Sequence, residues 1–175
     1  MKTLIVLAAA LLFITPIHAQ SIVKKYETST DSINQRVVYR GLIDFKILDD
    51  EPTFDWYNTG SDHYKPKKRY INTLKTELPK YCIIVVMGTW CGDSRDLVPK
   101  LHKVLVEAGY PMDKLVMYGV DRSKTVGQGQ EKPYDIHFVP TIILFDGTKE
   151  IGRIVESVHK SLEADLAAIV KSNKK

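Results

Sequence analysis

Six consecutive apolar residues, Cys82-Ile83-Ile84-Val85-Val86-Met87, run straight into Gly88-Thr89-Trp90-Cys91-Gly92-Asp93-Ser94. No other feature of the chain limits its fold as tightly. A continuous apolar, mostly β-branched run of this length predicts a strand buried on both faces. After the turn, Leu97, Val98, Leu101, Val104, Leu105 and Ala108 recur at spacings of three and four. That spacing predicts a helix with one apolar face, ended by Gly109 and Pro111. A strand buried on both faces needs neighbours. Residues 115–120 and 141–145 supply two more apolar runs, and 150–155 a fourth beyond the Asp146-Gly147 turn signal. Leu162, Leu166, Ile169 and Val170 mark a closing helix. The order strand, helix, strand, connection, hairpin, helix predicts one α/β sheet of mixed direction.

The first nineteen residues stand apart from this pattern. Lys2 supplies a short positive region, residues 4–14 are unbrokenly apolar, Pro16 follows, and Ala19 precedes Gln20. This is the order of a secretory signal peptide. The apolar run is too short for the roughly 20 residues a helix needs to cross a bilayer. The sequence therefore predicts a cleaved leader over 1–19, a periplasmic or secreted protein and no stable membrane insertion. Removing residues 1–19 of the 175 leaves a chain sized for one domain, and lowers the formal charge from +4 only by Lys2. Such a charge, with no basic stripe interleaved with aromatics, argues against nucleic acid as a partner. Lys65, Lys67, Lys68 and Arg69 read as a solvated face.

Export makes the cysteine count informative, because a small exported domain with two cysteines often joins them. Here the strand separates Cys82 from Cys91 by some 20 Å at about 3.3 Å per residue. A disulfide needs Cα atoms within about 7 Å. Cys82 is expected as a small buried apolar residue, and Cys91 as a free thiol. No cysteine pair, histidine cluster or glycine-rich phosphate loop points to a metal or cofactor.

Residues before the strand are less regular. Residues 20–40 read as an irregular arm, although 37–47 alternates loosely enough to hold a strand. Asp49-Asp50-Glu51-Pro52 is a turn, and Phe54, Trp56 and Tyr57 are expected to pack onto the domain. Residues 58–66 read as loop, and 67–78 as an amphipathic helix with Tyr70, Leu74 and Leu78 on one face. The segment 125–135 reads as loop or weak helix. The resulting division is a leader over 1–19, an N-terminal extension over 20–80 packed on the domain, and a core over 81–175.

At Trp90-Cys91-Gly92-Asp93-Ser94 the chain resembles the thioredoxin family, whose signature is Trp-Cys-Gly-x-Cys at a strand-to-helix turn. Pro99 falls where thioredoxins carry a helix-kinking proline, Val139-Pro140-Thr141 resembles their cis-proline loop, and Asp146-Gly147 matches their hairpin glycine. The resemblance covers roughly 81–170. It implies a thioredoxin-like mixed sheet with helices packed on both faces, a cis Pro140, and a substrate groove formed by Trp90, Gly92, Asp93, Val139 and Pro140. Three positions depart from the pattern. Ser94 replaces the second cysteine, Val85 stands where an aspartate is usually buried, and Glu156 stands near a groove-forming glycine.

A cysteine just before a helix meets unpaired backbone N–H groups and the positive end of the helix dipole, and both favour the nucleophilic thiolate. Ser94 is placed to donate a hydroxyl hydrogen bond to it, while the Asp93 carboxylate opposes a second negative charge. Trp90 reads either as a shield for the sulfur or as a core aromatic. His137 is either a base for Cys91 or, more simply, a surface histidine; His102 lies too far along the helix to reach the sulfur. The resemblance thus implies a monothiol protein. Cys91 would attack a disulfide or oxidised cysteine in an extended peptide or protein, and an external thiol such as glutathione, or a partner reductase, would resolve the product. The alternative is a redox-inactive binding module that holds an extended partner.

Overall fold

The computed structural model describes residues 25–173, so the expected leader lies outside the described residues. Six strands form one sheet in the order β1-β2-β4-β3-β5-β6. They are β1 (Tyr26–Thr30), β2 (Val37–Ile43), β3 (Cys82–Met87), β4 (Leu115–Gly119), β5 (Thr141–Asp146) and β6 (Lys149–Val155). The helices are α1 (Phe45–Asp49), α2 (Asp55–His63), α3 (Lys68–Glu77), α4 (Gly92–Ala108) and α5 (Leu162–Ser172). The apolar run occupies the interior of the sheet. Strand β3 pairs parallel to β4, with Val85 opposite Met117, and antiparallel to β5, with Val85 opposite Ile142. All other pairings are antiparallel. Mixed direction follows from the connections: a helix crosses between β3 and β4, whereas the tight Asp146-Gly147 turn joins β5 to β6, with Gly147 at φ 59°.

Alternation along β3 divides its side chains between two clusters. Ile83, Val85 and Met87 face the larger one, where α1 to α5 all contribute buried residues. Ile84 and Val86 face a smaller one, completed by Val120, Val126, Val139 and Ile143. Coverage of the two faces is therefore unequal. All five α-helices pack on one face, and the other is covered by the segment 120–139 with its single 3₁₀ turn, Lys132–Tyr134.

Three local expectations are corrected. Cys82 is exposed rather than buried: it is the first residue of β3 and falls outside both clusters. The arm over 20–40 contains β1, whose exposed polar residues pair along β2 from Tyr26–Gly41 to Thr30–Val37. Residues 58–63 are helical, although Asn58, Thr59, Gly60 and Ser61 are weak helix formers. Packing decides here. Gly60 lies so close to α4 that an added Cβ would sit 3.0 Å from the Pro99 ring. The expected face of α3 does form: Tyr70, Leu74 and Leu78 all pack on the larger cluster together with Ile71, Leu78 from a following 3₁₀ turn. The aromatic trio does pack onto the domain, with Tyr57 fully buried. Residues 26–80 thus add two strands and three helices to the structure that carries Cys91.

Candidate functional site

Strand β3 ends at Met87, and the chain turns through Gly88–Trp90 before entering α4. Cys91 caps that helix with an extended backbone, φ −85° and ψ 131°. Its carbonyl accepts the Arg95 N–H at 3.1 Å, and its N–H donates to Gly88 O at 2.9 Å. The thiol is half-buried and donates to Val139 O at 3.2 Å. The Val139–Pro140 peptide bond is cis. The turn and the proline loop are 48 residues apart in sequence and meet at the sulfur because β3 and β5 are neighbours. Both described cysteines are free.

Ser94 is fully buried, and its hydroxyl oxygen accepts the Gly88 N–H at 3.2 Å. The group expected to donate to the sulfur is instead a brace between α4 and the end of β3. Gly92 and Asp93 are exposed in the first turn, and nothing lies within 4 Å of where a Gly92 Cβ would be. Asp93 lines a shallow groove with Asp96, Lys100 and Glu156. Glu156 holds a left-handed φ of 57° and donates its N–H to Pro140 O at 2.8 Å, so it buttresses the proline loop at a position suited to glycine. Val85 is wholly buried among apolar residues. His137 is a surface residue paired with Asp135, and His102 bonds Tyr57 instead of approaching Cys91.

Trp90 is fixed from four directions. Its Nε1 donates to Val120 O at 2.9 Å, and the Arg122 guanidinium lies 4.6 Å over its ring. Gly88 leaves room for that ring; a Cβ there would stand 2.6 Å from it. Its carbonyl accepts from Asn34 Nδ2 and Arg36 Nη1, each at 3.2 Å. Both donors come from the β1–β2 turn. Asp31, in the same turn, takes a two-point contact from Arg122 at 2.6 and 3.0 Å. That contact holds the Asp31 carboxyl down at about 2. Asp31 in turn raises Arg122 above its usual value.

Asp31, Asn34, Arg36 and Arg122 were missed in the sequence. Asp31 does announce a turn, since its carboxylate accepts the N–H groups of Ile33 and Asn34. Nothing in one sequence says that this turn lands on Trp90, more than 50 residues away.

Comparison with known proteins bears on the family and the fold. The family model described as Thioredoxin matches residues 63–171. Thioredoxin-1 of Saccharomyces cerevisiae is 26% identical over 89 residues, 51% of this chain and 81% of that protein. A Pseudomonas aeruginosa protein of unknown function superposes with a TM-score of 0.53 at 12% identity, over 74% of this chain and 91% of that one. An HIV epitope-scaffold superposes with a TM-score of 0.52 at 14% identity, over 75% and 93% of the two chains.

Proposed function

The chain belongs to the thioredoxin family, and we propose that it is an exported monothiol member that exchanges disulfides through Cys91. One observation carries this reading. Cys91 caps α4 with its sulfur against the proline loop, while Ser94 occupies the position of a resolving cysteine and is buried as a structural brace.

The chemistry balances with one cysteine and two external partners. A Cys91 thiolate attacks one sulfur of a substrate disulfide; a Cys91–substrate disulfide forms, and the other substrate sulfur leaves as thiolate. An external thiolate, glutathione or a partner reductase, then attacks the substrate sulfur and releases Cys91 as thiolate. The substrate cysteine that leaves first is reduced, and the external thiol ends in the second disulfide. In the resting protein the Cys91 S–H occupies Val139 O. A thiolate or disulfide sulfur has no proton to donate, so reaction frees that carbonyl to accept an N–H from an extended peptide laid along Val139 and Pro140.

Export is part of the proposal and rests on the leader-like order of residues 1–19. N-terminal sequencing of the mature protein is expected to begin at Gln20.

Because Cys82 is also exposed, the test uses the Cys82→Ser protein. Treated with 2-hydroxyethyl disulfide, it should form one mixed disulfide, rapidly, that only an added thiol releases. Cys91→Ser in the same background should form none. A Cys91 rate no higher than that of an unstructured cysteine peptide overturns the exchange reading. The fully buried Val85, in place of an acid, then favours a module that binds extended peptides without redox turnover.

A further inference from the structure

Two arginines line one small cavity on the α2 side of Cys91. The cavity, about 170 Å³, is lined by Arg36 from the β1–β2 turn, Arg95 from α4, and Thr53, Phe54, Trp56 and Thr89. Arg95 is one helical turn beyond Cys91, and Arg36 bonds the carbonyl of Trp90, so each arginine is tied to the backbone at or beside the sulfur-bearing residue.

Neither arginine has an ion-pair partner among the described residues. Arg95 Nε is buried without a hydrogen-bond acceptor, and the group lies 5.3 Å over the Trp56 ring. Burial lowers the Arg95 pKa, and the charge of Arg36 lowers it further against the opposing pull of Asp55. The nearby acids are turned to other donors. Glu51 takes the Tyr39 and Thr53 hydroxyls, and Asp55 takes the Trp56 N–H. The lining hydroxyls are committed too: Thr89 donates to Val37 O, and Thr53 to Glu51. A half-buried guanidinium with an orphaned N–H, and a second, exposed arginine lining the same cavity, offer an anion two positive partners.

We infer that Arg36 and Arg95 bind a carboxylate here, and that it belongs to a small acidic thiol that acts at Cys91. This deepens the thiol-exchange reading and rests on it for the identity of the ligand. A guanidinium fork matches a carboxylate in two-point geometry. The Phe54 and Trp56 walls suit the carbon chain behind a carboxylate better than a bare inorganic anion. A cavity of about 170 Å³ admits a carboxymethyl group and not a whole peptide.

The experiment measures equilibrium binding of S-methylglutathione by calorimetry. The probe carries the carboxylates and has no free thiol, so the result does not depend on whether Cys91 exchanges disulfides. Arg36→Gln keeps a donor for Trp90 O, and Arg95→Met keeps the apolar stem beside Trp56. Thermal melts confirm that both fold. The expected result is binding at least 10-fold tighter than that of the probe's dimethyl ester, weakened at least 10-fold in each variant. Equal binding of acid and ester, wild-type affinity in both variants, or tighter binding of inorganic phosphate than of the tripeptide overturns the inference.

Discussion

Ser94 gives the residue scale its clearest lesson: a position read as chemistry is occupied by structure. Its oxygen is the acceptor for the Gly88 N–H, and both groups are buried. A backbone N–H stripped of its acceptor inside a protein costs about 1–3 kcal/mol. Ser94→Ala should therefore lower the urea-unfolding free energy by about 1–3 kcal/mol, with an unchanged denaturant slope. A loss below about 0.5 kcal/mol would show that this bond contributes nothing. Trp90 answers its own alternative in the same way. It packs against the smaller cluster beside Cys91, and Val120, Gly88, Arg122 and the β1–β2 turn fix it there.

At the scale of elements, the weakest sequence signals sit where tertiary contacts replace local propensity. Helix α2 is polar and contains Gly60, yet it packs against α4 at the level of Pro99. A comparable tie joins the α2–α3 connection to α5. Glu163, in the first turn of α5, accepts the Tyr64 hydroxyl at 2.6 Å, the Ser161 hydroxyl at 2.7 Å and the Lys67 N–H at 3.2 Å. Burial alone would raise the Glu163 carboxyl, but the Tyr64 and Ser161 hydroxyls prevail and hold it below the usual range. Glu163→Gln keeps the shape and removes the charge that strengthens these bonds. It should cost about 1–3 kcal/mol near neutral pH. Since the folded carboxyl is depressed, the wild type loses this advantage as the pH falls through that folded value. A gap between the two proteins that persists undiminished into acid would contradict the assignment.

For the whole molecule, the buried titratable groups predict loss of stability in acid, in two stages. His102 lies between Phe45 and Tyr57, its Nδ1 2.8 Å from the Tyr57 hydroxyl. Burial lowers its pKa from 6.5, with Lys103 acting in the same sense and Asp49 opposing. The unfolded chain takes up this proton first, so stability present above 6.5 declines as the pH falls below it. The second stage belongs to depressed carboxylates such as Asp31, whose contribution disappears as the pH falls through about 2. Urea midpoints measured from pH 8 to pH 2 should show both stages, and His102→Gln should remove the upper one alone. A flat midpoint between pH 7 and pH 5 in the wild type would rule out the histidine stage.

The sequence by itself determined most of the core and the place of Cys91 at a strand-to-helix turn. Strands β3 and β5 bury the continuous apolar runs they display, and helices α4 and α5 bury residues at helical spacing; run and spacing are both local properties of the chain. Cys91 and the Val139-Pro140 loop were legible because their residue types and order are distinctive. Tertiary structure alone decided the rest. It set which face received the helices, left Cys82 exposed, made Ser94 a brace, and laid the Asp31–Arg36 turn over Trp90. Those outcomes depend on which strands become neighbours. Hydrogen bonds and ion pairs between residues more than 50 positions apart leave no periodic trace in the chain. They form only when the sheet brings their partners within about 3 Å.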